Sequence, residues 1–437
     1  MINTNRSRSA LDLTILQNEP TFCSLSITVP SDLVDALYEQ TVAIQKKATP
    51  TFGFHKRETP AHYIEQNYQQ NLADHVQEFL LRYMVLSYLN QEIKNKKILV
   101  AGAPRLRSID FKRHNDARYH FELSLFPNLN FQEWKYLPFK APKRKNYKDL
   151  DRQVETFLQE EMTAKDAYNE KNGVGIGDWV NYTVTLLNQD MQPALDIHSA
   201  NLWIKIGDEE PDKPFQEVFL RKPNKTCFTS NNPILQDYFV EPLNSQYTFA
   251  VTIDDIVPHN YFCLDQFKQQ FRLKSNKEMY QKLIEVFSYR NDLSQRRTMV
   301  EESLKLLLSK HRFEIPNHLI LRQQKNVMEA IQYNPDYHVY RVQKDFKDVV
   351  RELAEKQSRE EIFLDQLAYE EDLHATQSDI KNYLNLTKRP RTKEFLHFDP
   401  PLIKARTQGF PILNHELAAI CLREKTLNHI IYHLTKK

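Results

Sequence analysis

The residue types and spacings able to do chemistry are concentrated in one decapeptide, Thr51-Phe-Gly-Phe-His-Lys-Arg-Glu-Thr-Pro60. It sets an aromatic ring, Phe54, among the basic residues Lys46, Lys47, Lys56 and Arg57. A ring surrounded by positive charge suits docking on an anionic partner. The ring supplies apolar contact, and the cations attract phosphate or carboxylate. Gly53 marks a backbone position expected to need an unusual φ. The plainer alternative is a buried loop aromatic beside a solvated basic pair. Other candidates are weaker. Gly173-Val-Gly-Ile-Gly177 lacks GxGxxG spacing and precedes a strand-like segment, so it reads as a turn. His374 and His415 stand near the carboxylates Asp372 and Glu416 without an HExxH pattern, and are expected at the surface. Cys23, Cys227, Cys263 and Cys421 are scattered, with no CxxC, and read as reduced structural thiols. The basic runs Lys143–Lys145 and Lys388–Arg391 read as solvated linker. No metal, cofactor or nucleotide is expected.

Two amphipathic helices must hold the decapeptide. Ser31 is placed as the N-cap of the first, with Leu33, Leu37, Thr41 and Ile44 on one face. Thr59 and Pro60 read as the N-cap and first position of the second. That helix carries an apolar stripe at every fourth residue: Ile64, Tyr68, Leu72, Val76, Leu80, Met84 and Tyr88. If continuous over residues 60–90 it is about 45 Å long, an elongated mount for a loop at one end. Alternation predicts strands at Cys23–Val29 and Arg118–Phe126, with a short one at Ile98–Val100.

Residues 1–20 read as a flexible tail, 21–127 as an α+β domain with an antiparallel sheet under the long helix, and 128–165 as an extended Pro- and Lys-rich linker. Residues 166–258 read as an antiparallel β domain punctuated by prolines, with strands at Asp178–Leu187, Leu202–Ile206 and Tyr247–Ile253. Residues 259–437 read as all-helical, their paired helices leaving apolar grooves partly open. The chain has 437 residues, 41% hydrophobic and 27% charged, with a net charge of +2, so anion binding must come from local patches. Only 7 glycines occur, which disfavours folds built on Gly-rich phosphate loops. No secretory signal and no membrane-spanning run is evident.

The order of Val29-Pro30, helix, Gly53-Phe54 loop with Pro60, long helix and Ala101-Gly-Ala-Pro104 resembles the N-terminal domain of trigger factor, the bacterial chaperone family of the ribosomal exit tunnel. The family's loop reads Gly-Phe-Arg-x-Gly-Lys-x-Pro. Gly53, Phe54 and Pro60 match it. His55 replaces its Arg, Arg57 its Gly and Glu58 its Lys, which moves the positive charge onto Lys56 and Arg57. The resemblance implies that Gly53, Phe54, His55, Lys56, Arg57 and Pro60 bind the large ribosomal subunit at the tunnel exit. Phe313-Glu-Ile-Pro-Asn-His-Leu-Ile320 with Arg322-Gln-Gln324 resembles the start of a helical arm that cradles clients. Along the rest of the chain the likeness is fainter.

Gly177-Asp-Trp-Val180, Trp203-Ile-Lys-Ile-Gly207 and Pro214-Phe-Gln-Glu217 resemble the family's FKBP-type prolyl isomerase domain. Such a domain needs an aromatic pocket that desolvates the X–Pro amide. Trp203, Phe215 and Phe249 are its candidate catalytic walls, or else ordinary core aromatics. The second reading is favoured, because a Phe-Glu-Gly-Gly stretch is absent and Pro214 replaces a Gly. The chain therefore reads as a cytoplasmic, ATP-independent chaperone of nascent and unfolded polypeptides, an α+β multidomain protein with no membrane or nucleotide partner. A freestanding FKBP-type prolyl isomerase and an RNA- or ribosome-binding assembly factor are the alternatives.

Overall fold

The computed structural model describes residues 11–48, 53–55, 57–127, 129–143, 149–168, 172–195, 198–241, 246–290, 293–332, 334–400, 404–405 and 408–436. Asp12–Asn18 (β1) pairs antiparallel with Phe22–Val29 (β2). The stretch expected to be a tail thus contributes an edge strand; residues 1–10 lie outside the described residues. β2 buries Cys23, Leu25, Ile27 and Val29, the face its alternation predicts. Ser31–Ala48 (α1) follows. The amides of Leu33 and Val34 bond to the carbonyl of Pro30, so Ser31 lies inside the helix rather than capping it. Its own amide is satisfied from across the domain by Asp116 Oδ1, 2.9 Å away.

The long second helix is not continuous. It comprises Ala61–Asn67 (α2), Gln69–Leu80 (α3), a π-helical turn Leu81–Val85, and Leu86–Asn95 (α4). At 3.6 residues per turn, a stripe at every fourth residue rotates about 40° per step and would leave the core within a few turns. The break at Tyr68 (φ −120°) and the wider π turn absorb that rotation. Ile64, Leu72, Val76, Leu80 and Met84 are buried, while Tyr68, at the break, is exposed. Arg105–Asp110 (β3) and Ala117–Ser124 (β4) complete a four-stranded antiparallel sheet in the order β1-β2-β4-β3. The strand expected at Ile98–Val100 reduces to one bridge, Val100 with Leu125.

The segment read as an extended linker is strapped down. Phe131 and Trp134 are buried in the helical core with Leu304, Phe363 and Leu427. Trp134 Nε1 donates to Glu371 Oε1 at 3.0 Å, and Gln366 donates to the carbonyl of Pro127 at 2.7 Å. Leu150–Ala167 (α5) then leads to the second sheet. Arg144 and Lys145 lie outside the described residues.

The second sheet contains Trp179–Leu187 (β5), Ala200–Lys205 (β6), Cys227–Ser230 (β7) and Thr248–Val257 (β8), with the helix Lys213–Phe219 (α6) between β6 and β7. The helical part runs through Leu264–Gln270 (α7), Asn276–Phe287 (α8), the two-residue ladder Tyr289–Arg290 (β9) with Leu293–Ser294 (β10), and Gln295–Lys310 (α9). Asn317–Gln332 (α10), Tyr337–Tyr340 (α11) and Phe346–Glu370 (α12) follow, then Gln377–Leu386 (α13) and Pro390–Lys393 (α14). A ladder of Lys404–Ala405 (β11) with Gln408–Gly409 (β12) precedes Ile412–Leu413 (β13) and Asn414–Thr435 (α15). β13 pairs with β6, so the sheet order is β13-β6-β5-β8-β7, all antiparallel. The middle sheet therefore takes an edge from the far end of the chain, which no local pattern announces. No helix among the described residues is long and apolar enough to cross a membrane.

One core joins the two sheets. The helices α1 and α3 lie between them: Tyr119 of β4 donates to the carbonyl of Gln77, and Phe79 stacks on Tyr83 and meets Tyr247 and Phe239 of the second sheet unit, at centroid distances of 5.0, 5.2 and 5.7 Å. Mixed helices and antiparallel sheets in this arrangement make a multidomain α+β protein.

Candidate functional site

The decapeptide closes the α1–α2 hairpin. Thr51, Phe52 and Lys56 lie outside the described residues. Gly53 adopts φ +87°, and a Cβ built there meets nothing within 4 Å, so its glycine serves backbone conformation and not close packing. Arg57 adopts φ +75° and is exposed. An L-residue in the left-handed region costs about 1–2 kcal/mol. Arg57 thus holds a cation in a backbone conformation that glycine would adopt without strain. The amide of Glu58 bonds to the carbonyl of His55 at 3.0 Å and closes the turn. Pro60, at φ −62° and ψ 140°, is the N-cap of α2 rather than its first residue. Thr59 is buried and His55 exposed.

Phe54 is half-buried. It meets Tyr63 of α2 edge-on, with centroids 4.9 Å apart and an interplanar angle of 62°. It belongs to no buried core cluster among the described residues. The ring is therefore steadied by Tyr63 and partly exposed. Tyr63 belongs to no motif in the sequence; the one signal for it is its position three residues after Pro60, on the first turn of the helix that the loop leads into. The same hairpin carries a groove of about 690 Å³, lined by Val42, Lys46, Lys47, Arg57, Ala61 and Gln189 together with Glu39 and Glu65. Glu65 is neutralised by Arg113 at 2.9 Å, so the three cations leave the groove net positive. Gln189 comes from the turn after β5, which Gln40 of α1 holds through the carbonyl of Leu187 at 2.6 Å.

Two further motifs meet in space. The first turns of α10 clasp Ala101–Pro104. Arg322 donates to the carbonyls of Ala103 and Pro104 at 2.8 and 3.2 Å, and His318 Nε2 lies 3.0 Å from Ser124 Oγ. Leu319 covers Gly102 so closely that a Cβ there would lie 2.9 Å from its methyl group. The arm α10–α12 is thus rooted on the first sheet. Val327, Val350 and Ala354 hold the arm together, while Leu321, Val339, Val342 and Val349 are exposed along it and at its tip.

The three candidate isomerase walls do not come together. Phe249 pairs across from Leu186, and both share the core between the two sheets with Phe215. Trp203 projects from the opposite face of the sheet, against Trp179, Tyr383 and Leu417, and its Nε1 donates to Asn414 Oδ1 at 2.9 Å. Trp203 and Phe249 are fully buried and Phe215 nearly so. They are core residues on two sides of one sheet, and no open wall is formed by them. Two other expectations also change. His415 is half-buried, and burial pushes its pKa down to about 4. Lys388 and Arg389 are not linker cations: Lys388 is buried and donates to the carbonyl of Tyr261, and Arg389 grips both carboxylate oxygens of Glu161.

A buried polar chain seals the interface between the sheets. The Tyr247 hydroxyl lies 2.7 Å from Thr41 Oγ1 and 2.8 Å from His75 Nε2, and the backbone of Glu241 bonds to the same imidazole. Burial lowers the His75 pKa from 6.5 to about 4. The imidazole is therefore neutral at pH 7 and keeps one hydrogen bond with the Tyr247 hydroxyl. The unfolded chain binds this proton near pH 6.5 and the folded chain only near pH 4, so stability rises with pH between those values. Falling from pH 7 to pH 4 should cost up to about 3 kcal/mol through this group. Urea midpoints measured across that range should show the loss, and a His75→Gln variant should show it reduced.

Residues 11–160 match the family described as bacterial trigger factor protein (TF), and residues 265–401 match the bacterial trigger factor protein (TF) C-terminus. Among curated relatives, the trigger factor of Geobacter sp. (strain M21) is 20% identical over 380 residues, covering 83% of this chain and 84% of its own length. The trigger factor of Maridesulfovibrio salexigens is 23% identical over 195 residues, 44% of this chain; that alignment spans only 43% of the relative. A solved structure of the trigger factor chaperone, studied for promiscuous substrate recognition in folding and assembly, aligns over 97% of this chain and 100% of its own with 14% identity and a TM-score of 0.36. Sheet-bearing N-terminal unit, second sheet and helical body with a rooted arm make a multidomain α+β architecture. The chain belongs to the trigger factor family, whose members are ribosome-associated chaperones.

Proposed function

We propose that this chain docks beside the exit tunnel of the large ribosomal subunit through the loop Gly53–Pro60, and holds emerging polypeptides in the cytoplasm without a nucleotide cycle. The observation that carries the reading is a single loop that presents both a half-buried Phe54 ring outside every core cluster and Arg57, which lines a cationic groove with Lys46 and Lys47. An apolar anchor rimmed by cations fits a surface of RNA phosphate and acidic side chains. Clients would meet the arm through Leu321, Val339, Val342 and Val349. Such contact is weak and exchanging, and a client that folds buries the area that held it. Pelleting with translating ribosomes tests the reading. Retention should fall steeply as salt rises, and salt-independent retention or none at all would speak against it.

The second sheet acts as a structural spacer in this reading, not as a prolyl isomerase. Support comes from the burial of Trp203, Phe215 and Phe249 on two faces of the sheet. The cis-to-trans rate of a prolyl tetrapeptide should stay at its uncatalysed value in the presence of the chain. A rate that climbs in proportion to added protein would restore the isomerase.

A further inference from the structure

We propose that the helical body binds a small oxyanion, a carboxylate or a phosphate, in the cleft between the α7–α8 turn, the start of α9 and α15. The cleft measures about 590 Å³. Its deepest cation is Arg296, which is 1% exposed. The guanidinium makes one hydrogen bond, from Nη2 to Asn428 Oδ1, and among the described residues Nε and Nη1 make none. A buried donor left without a partner costs about 1–3 kcal/mol, and more when charged, so such a group calls for an acceptor.

None of the nearby carboxylates hydrogen-bonds the guanidinium, although Glu285 and Glu424 act on its charge through space. Glu285 pairs with Lys282 at 2.9 Å. Glu424 accepts the amides of His397 and Phe398 at 2.6 and 2.7 Å. Asp379 holds Lys425 at 2.9 Å and caps α13 through Thr376. The cleft is lined by five cationic side chains against three carboxylates, which leaves it net positive. Arg296 and Lys282 also flank the ring of Phe271, at 5.8 and 5.0 Å from its centroid. The free Nε–H and Nη1–H point from different edges of the guanidinium, so each offers a separate charge-assisted hydrogen bond to an oxyanion, and the ring offers a floor for an attached apolar group.

Calorimetric titration of the full chain in chloride buffer tests this, with inorganic phosphate in one arm and N-acetylphenylalanine in the other. N-acetylphenylalanine amide, which lacks the carboxylate, is the control. The expected result is saturable one-to-one binding of at least one oxyanion and none of the amide. The arm that binds tells phosphate from carboxylate. Arg296→Met keeps the volume without the charge and should weaken binding at least tenfold. Asn428→Asp places a competing carboxylate on the guanidinium and should do the same, even if the first variant fails to fold. No saturable binding of either oxyanion, or undiminished affinity in a folded variant, overturns the proposal.

Discussion

The triple variant Phe54→Ala, Lys56→Ala, Arg57→Gly is expected to disappear from the ribosome pellet while the chain stays folded. The three changes remove different contributions. Truncating an aromatic anchor at an interface costs about 2 kcal/mol or more, roughly thirtyfold in affinity. Each cation removed also forfeits counterion release from phosphate, so the salt dependence should flatten in the single charge variants. Glycine is the right replacement at position 57, because the backbone there stands at φ +75°. It removes the charge while relaxing the turn, so lost binding could not be blamed on a distorted loop. The combined loss should exceed about a hundredfold. A triple variant that pellets as well as the parent chain would mean that the ring and its cations are not the contact.

Phe79→Ala is expected to have the largest effect on stability. The ring is fully buried and contacts Tyr83, Phe239 and Tyr247, so it packs the first helical layer against the second sheet. Deleting a core Phe typically costs about 3–5 kcal/mol, the lost transfer energy plus the cavity left behind. The cavity would open beside the Thr41–Tyr247–His75 chain, where entering water would compete for buried hydrogen bonds. Denaturant unfolding should therefore shift to a lower midpoint, with early proteolytic cleavage between α5 and β5. A loss below about 1 kcal/mol, the level of ordinary surface substitutions, would mean that the two units do not share a core in solution.

What could be read in advance depended on how locally each feature is encoded. β2 and β4 were legible because one face is wholly apolar: Leu25, Ile27 and Val29 answer Phe121, Tyr119 and Ala117 across the ladder. β1 was not, because Ile15 and Leu16 are exposed beside buried Leu11 and Leu13 and blur the period. β3, with the sequence RLRSID, has too few apolar residues to alternate. The break at Tyr68 carries no Gly or Pro, and a fourfold stripe concealed it. Trp134 is the signal against an extended linker, since a tryptophan among prolines is more economically explained by anchoring than by solvation. The placement of Trp203 opposite Phe249 depends on strand register, which only tertiary pairing fixes. At the docking loop the residues were legible from their types, but the support of Phe54 by Tyr63 and the approach of Gln189 from the second sheet came from the fold.

Site-specific photocrosslinking from position 54 tests the central claim most directly. With a photoreactive phenylalanine analogue at that position, illumination in the presence of translating ribosomes should join the chain to large-subunit components at the tunnel exit, and the product should fade as salt rises. Crosslinks confined to the chain's own α2, with none to the ribosome under conditions where the protein still pellets, would contradict it.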